Sequence, residues 1–166
     1  YGDHRDLHRL IRRQRQMCIR DRPSAQKYLE AILGKREVPW DVSFLHPNQL
    51  EIICYEYLLV KKILATLLMP IGRSLPDIDI LGINASGKYV YAQVTHGNDR
   101  NKISEKIKKL KSYKSKNSIL IFFGHESQKI EDNDVKYIPI EEVFSFLTSD
   151  RISIYYEMVR KMLGGG

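Results

Sequence analysis

The sequence predicts a three-layer α/β domain, a mixed central sheet flanked by helices, from three observations. The apolar period changes from helical to strand-like after Pro70-Ile71-Gly72. SILIFFG, residues 118–124, is a wholly apolar run suited to a central strand covered on both faces. The element order then reads helix, hairpin, helix, strand, strand, helix, which suits a sheet with helices packed on it.

The elements follow in chain order. SAQKYLEAILG (24–34) predicts a short helix, capped by Ser24, striped by Tyr28, Leu29, Ile32 and Leu33, and stopped by Gly34. Trp40 and Phe44 are expected to seal one edge of the core. The longest helix is predicted from about Gln49 to Leu68, with Asn48 as its N-cap. Its apolar positions, from Leu50 and Ile53 through Leu67 and Leu68, recur at helical intervals. Ile78, Ile80, Leu81 and Ile83 form a strand after Pro76, Asn84-Ala85-Ser86-Gly87 turns the chain, and Tyr89 to Thr95 returns as its partner. A Lys-rich helix over 101–114, strands at 118–124 and 135–140, and helices at 141–148 and about 150–163 complete the reading.

The chain of 166 residues has room for one ordinary domain. We expect that domain over residues 23–163, with its core at about 46–140. No apolar run approaches the ~18 residues of a membrane span, and no signal-peptide core is evident at the N-terminus. Cys18 and Cys54 are the only thiols and form no CxxC spacing, so neither a disulfide framework nor a cysteine zinc site is expected, and cytoplasm is the default compartment. The formal charge is +7, but residues 1–22 hold seven Arg and three Asp, leaving only +3 for the rest. Within that segment RRQRQMCIRDR resembles translated adapter sequence, and residues 1–22 are set aside from the fold. The competing reading is a basic arm that binds nucleic acid.

The chemistry concentrates in SLPDIDILGINASGKYVYAQVTHG (74–97). Alternation puts Asp77 and Asp79 on one face of their strand, and Gln93 and Thr95 on one face of the next. The turn at 84–87 makes the two strands antiparallel neighbours. Asp79, Gln93 and Thr95 can then converge as a carboxylate, an amide carbonyl and a hydroxyl. These are hard oxygen donors of the class Mg²⁺ prefers, and that ion keeps several waters. Lys102, Lys106 and Lys109 fall on one stripe of the following helix, where they could contact phosphates. The bland readings compete: a solvated lysine face, a strand-edge Asp77, a satisfied buried Gln93, a helix-end Glu51 and a structural His96.

With these residues in place, the sequence resembles the PD-(D/E)xK nuclease superfamily, most closely its Mrr-like branch, with a restriction-endonuclease-like fold. NQLEIICYEYL (48–58) resembles the family's first helix, with Glu51 at the position of its site-facing Glu. PDIDILG (76–82) is similar to the metal-binding aspartate strand, with Asp79 as the ligand. AQVT (92–95) is similar to the (E/Q)xK strand, with Gln93 at the acidic-or-Gln position and 13 residues between it and Asp79. The resemblance implies a nuclease that hydrolyses DNA phosphodiester bonds with Mg²⁺ or Mn²⁺. Asp79, Gln93 and Asp77 would hold the metal, and Glu51 would support the water network or a second ion.

One departure stands out: Thr95 occupies the place of the family's catalytic Lys. An active enzyme therefore needs a replacement cation, for which Lys102 and Lys106 are the candidates and His96 an auxiliary. The alternatives are a catalytically inactive nuclease-like module that binds nucleic acid or regulates, and a protein-interaction domain. The oligomeric state is left open, a homodimer included.

Overall fold

Apolar side chains alternate across the strands of a five-stranded mixed sheet and bury helices against both of its faces. The computed structural model describes residues 41–71, 75, 77–150 and 153–163. The readings of residues 1–22, of the helix at 24–34 and of Trp40, Gly72 and Pro76 lie outside the described residues.

The helices are α1 (Pro47–Val60), α2 (Arg100–Leu110), α3 (Ile140–Thr148) and α4 (Ile154–Met162). The strands are β1 (Thr66–Leu67), β2 (Ile80–Ile83), β3 (Tyr89–Val94), β4 (Ser118–Gly124) and β5 (Val135–Pro139). They lie side by side in chain order. β1, β2 and β3 form an antiparallel meander, while β3–β4 and β4–β5 are parallel. α2 is the crossover that a parallel β3–β4 pair requires.

The period-2 pattern explains the layers. Ile80, Val90, Ala92, Val94, Ile121, Phe123 and Ile138 face α1, α3 and α4, meeting Leu50, Ile53, Leu58, Val143, Leu147 and Val159. Leu81, Leu120, Phe122 and Val135 face the other way, against Ile103, Ile107 and Leu110 of α2. The expected three-layer α/β architecture is present. Phe44 packs against the first of these cores. Among the described residues no helix is long and apolar enough to cross a membrane.

Three local expectations are corrected. The long helix stops at Val60 rather than Leu68. Lys62 adopts a left-handed backbone (φ 56°), and the N–H groups of Ile63 and Leu64 both turn back to the Leu58 carbonyl. The apolar residues beyond it pair as β1 against β2, and Leu68 is exposed instead of buried. Gly82 permits that pairing, because a Cβ there would strike the Thr66 carbonyl oxygen. The N-cap is His46, not Asn48: the His46 ring accepts from the Asn48 N–H at 3.3 Å, and Gln49 Oε1 accepts from the His46 N–H at 2.8 Å. Pro47, with no N–H to satisfy and a preset φ, suits the first helical position. Third, the aspartate strand begins at Ile80, so Asp77 lies in a turn with φ 63° and not on the strand. Asp and Asn tolerate that conformation better than most residues.

The hairpin turn is as expected. Asn84 Oδ1 accepts from the Ser86 and Lys88 N–H groups at 3.0 and 2.9 Å, and Gly87 takes φ 78°.

Candidate functional site

The cleft forms where β3 ends and the start of α1 approaches α2. Pro47, Glu51, Leu75, Asp77, Asp79, Gln93, Val94, Thr95, His96 and Lys106 line an open volume of about 590 Å³. That is within the usual size of a small-molecule site. Three of these side chains are carboxylates and one is an ammonium, which suits the space to a cation.

Asp79 is held where the β2–β3 ladder begins. The end pair of the ladder is Ile80 with Ala92, and Asp79 lies just before it. The Asp79 N–H donates to the Ala92 carbonyl at 3.0 Å, and its Oδ2 accepts from the Val94 N–H at 2.7 Å. A carboxylate pinned by a backbone donor is a charge-assisted contact that fixes its direction. Asp79 and Gln93 both line the cleft.

Gln93 is only 4% exposed, and its Oε1 has no hydrogen-bond partner among the described residues. Leaving such an acceptor unsatisfied costs about 1–3 kcal/mol. An orphan acceptor lining a carboxylate-rich cleft is the arrangement expected of a ligand or cation position. Among the described residues no three His, Cys, Asp or Glu groups converge as a cage. The available set is Asp79 with an amide oxygen, with Glu51 nearby, and this fits an ion such as Mg²⁺, which takes one or two carboxylates and keeps waters.

Thr95 is 8% exposed, and its Oγ1 accepts from the Gly97 N–H at 3.2 Å and from Lys106 Nζ at 3.4 Å. A lysine from the following helix therefore reaches the end of β3. Lys106 is on the cleft side of α2 because Ile103, Ile107 and Leu110 anchor the helix face to the sheet. Asp99 caps α2 by accepting from the Asn101 and Lys102 N–H groups.

The other candidates divide. Glu51 lines the cleft from the second turn of α1, half-buried. Burial pushes the Cys54 thiol well above its usual range, and the charges of Asp79 and Glu51 push it further. Asp77 lines the rim, with its carboxylate 3.6 Å from Lys109 Nζ. Lys109 also lies 3.5 Å from Glu105. Lys102 is not brought into the cleft: its side chain is 79% exposed and lies 3.9 Å from Asp99. The residues that sequence reasoning did not place are Pro47, Leu75 and Val94. His96, an auxiliary candidate, is in the lining, with its ring 6.1 Å from that of His125.

No protein family, curated protein or solved structure matches the chain.

Proposed function

We propose that this chain is a divalent-metal-dependent nuclease of the PD-(D/E)xK type that hydrolyses DNA phosphodiester bonds, with its catalytic ammonium supplied by Lys106. The observation that carries the reading is the contact of Lys106 Nζ with Thr95 Oγ1, 3.4 Å, in the cleft that holds Asp79 and Gln93. Two others support it. The chain runs α-β-β-β-α-β from Pro47 to Gly124, the order of the family's core. Gln93 Oε1 is a buried acceptor that lacks a partner among the described residues.

Asp79 and Gln93 would hold Mg²⁺ or Mn²⁺, with Asp77 at the rim and Glu51 ordering water. A metal bound there would position a hydroxide and neutralise phosphate charge. The protein's own work is then positioning. Lys106 stabilises the negative charge on the non-bridging phosphoryl oxygens as water attacks phosphorus and the ester oxygen departs. Thr95, by accepting from Lys106, holds that ammonium at the strand.

The test is plasmid and single-strand cleavage with Mg²⁺ and with Mn²⁺. Wild type should cut, and Asp79→Ala should not. Cutting that persists in Asp79→Ala would overturn the proposal. The neutral Gln93 and the threonine at 95 favour one rival, an inactive nuclease-like module. That reading gains if neither metal supports cleavage while nucleic acid still binds, regardless of Asp79→Ala.

A further inference from the structure

Tyr89, Tyr91, Gln93 and Thr95 alternate along β3 and so share one face of the sheet. The cleft occupies the Gln93–Thr95 end of that face. At the other end stand three tyrosines in a row. The Tyr89 and Tyr91 ring centroids are 6.2 Å apart with the planes tilted 34°, and Tyr91 and Tyr113 are 5.1 Å apart at 30°. Tyr91 and Tyr113 are partly buried against the core beneath α2. Tyr89, the outer ring, is 43% exposed, one of three large hydrophobic side chains left in solvent among the described residues.

A central strand of a sheet covered on both faces has no need of an exposed aromatic, and a valine or threonine would satisfy its pairing. Two lysines lie close to Tyr89 along the backbone. Lys88 precedes Tyr89, and Ser118, its partner in register, follows two residues after Lys116. Lys88 and Lys116 are exposed, and neither forms an ion pair among the described residues. A flat ring backed by two more and flanked by unneutralised lysines matches the chemistry of an unpaired nucleic-acid strand, whose bases stack while its phosphates meet cations.

We infer that the Tyr89–Tyr91–Tyr113 ladder is a stacking platform for an unpaired strand of the nucleic acid whose backbone enters the cleft. The inference rests on the nuclease reading and names the form of its substrate. The geometry is continuous. Four residues of strand, about 13 Å at ~3.3 Å each, separate Tyr89 from Gln93. α2 packs on the same face, with Lys106 in the cleft lining and Leu110 in the core that Tyr91 and Tyr113 border. A strand lying along that side of α2 would have a base on Tyr89 and a phosphate near Lys106.

The test is binding of the full chain to a fluorescein-labelled oligothymidylate, alone and annealed to oligoadenylate, in EDTA so that cleavage does not enter. Wild type should bind the single strand more tightly than the duplex. Tyr89→Ala should weaken single-strand binding about 5- to 100-fold and leave duplex binding unchanged, while Tyr89→Phe, which keeps the ring, should bind as wild type. Lys88→Ala should reduce the salt dependence of single-strand binding by about 0.7 in log–log slope. A Tyr89→Ala protein that binds the single strand like wild type, or a wild type that binds no single strand, overturns the inference. The two readings fail separately. Loss of all metal-dependent cutting with Tyr89-dependent binding intact sinks only the nuclease, and Asp79-dependent cutting with binding indifferent to Tyr89 sinks only the platform.

Discussion

Where α2 ends, Lys111 and Lys114 are met by acids. Lys111 Nζ lies 2.9 Å from Asp132 and 3.4 Å from Asp134, and Lys114 pairs with Asp134 as well. Little more than a turn earlier, Lys106 points into the cleft, where its contact is a hydroxyl and it forms no ion pair among the described residues. The lysines share a segment and a chemistry but not a circumstance. The outer pair is neutralised and ties α2 to the loop before β5. Lys106 has no acid partner among the described residues and lines the cleft together with Asp79 and Glu51. A cation already matched to an anion has little left to offer a phosphate, so under the proposed function Lys111 is structural and Lys106 is the lysine that acts.

The sharpest way to break the comparison is to remove each cation. Lys106→Ala should lower metal-dependent cleavage about 100- to 1000-fold, the typical cost of losing one preorganised charge stabiliser. Lys111→Ala should leave the rate essentially unchanged. Equal losses in initial-rate plasmid assays would erase the distinction. A second experiment moves the charge instead of removing it. Thr95→Lys in the Lys106→Ala background should recover at least about tenfold of the lost rate, because the new ammonium starts where Lys106 Nζ ended. No recovery, in a variant that melts cooperatively, would show that Thr95 marks the wrong place.

A third prediction concerns the anionic side of the cleft. Gln93→Glu adds a charged ligand at the orphan oxygen, and more ligand charge tightens divalent binding. Mn²⁺ should then raise the melting temperature more than it does in wild type, and an unchanged response would place the metal elsewhere.

The smallest effect belongs to the outer lysines. Hydrogen bonds from Lys111 hold the Asp132 carboxyl below its ordinary range, and those from Lys114, then Lys111, do the same for Asp134. The bond to Asp132 in turn raises Lys111. Depressed acids stabilise the fold above the ordinary carboxylate pKa, and this contribution is lost as pH falls through their lowered values. The raised lysine contributes below its ordinary pKa and loses that contribution as pH rises past it. The pairs are only partly buried and solvent still screens them, so the losses should be small. Amide exchange in residues 129–134 should quicken as pH drops below the ordinary carboxylate range, after correction for intrinsic rates. Lys111→Met should flatten that dependence.

Much of the fold was legible because its signals were local. SILIFFG is a strand over its full length, and the Asn84–Gly87 turn uses the chemistry its residues advertise. The end of α1 was not legible. Leu64, Leu67 and Leu68 continue a helical spacing beyond Val60, and only the left-handed Lys62 and the pairing of Thr66 with Ile83 override it. The site divides in the same way. Strand alternation was enough to join Asp79, Gln93 and Thr95, and helix phase put Lys106 on the correct side. Lys102 shares that phase but sits a turn nearer the N-terminus, where solvent competes, and sequence alone could not separate the two. Pro47 and Leu75 arrive from segments joined only by the closed fold, and no spacing in the chain announces them.

The two-residue β1 has a consequence for the protein at high concentration. An outermost strand displays unpaired backbone donors and acceptors that can template another chain. Among the described residues that outer rail is Thr66 and Leu67, with Pro70, which has no N–H to offer, three residues beyond. At the far side, β5 carries an exposed Lys136 and ends at Pro139. Both margins of the sheet are too short or too charged to seed fibrillar growth, even though its interior strands are among the most apolar stretches of the chain.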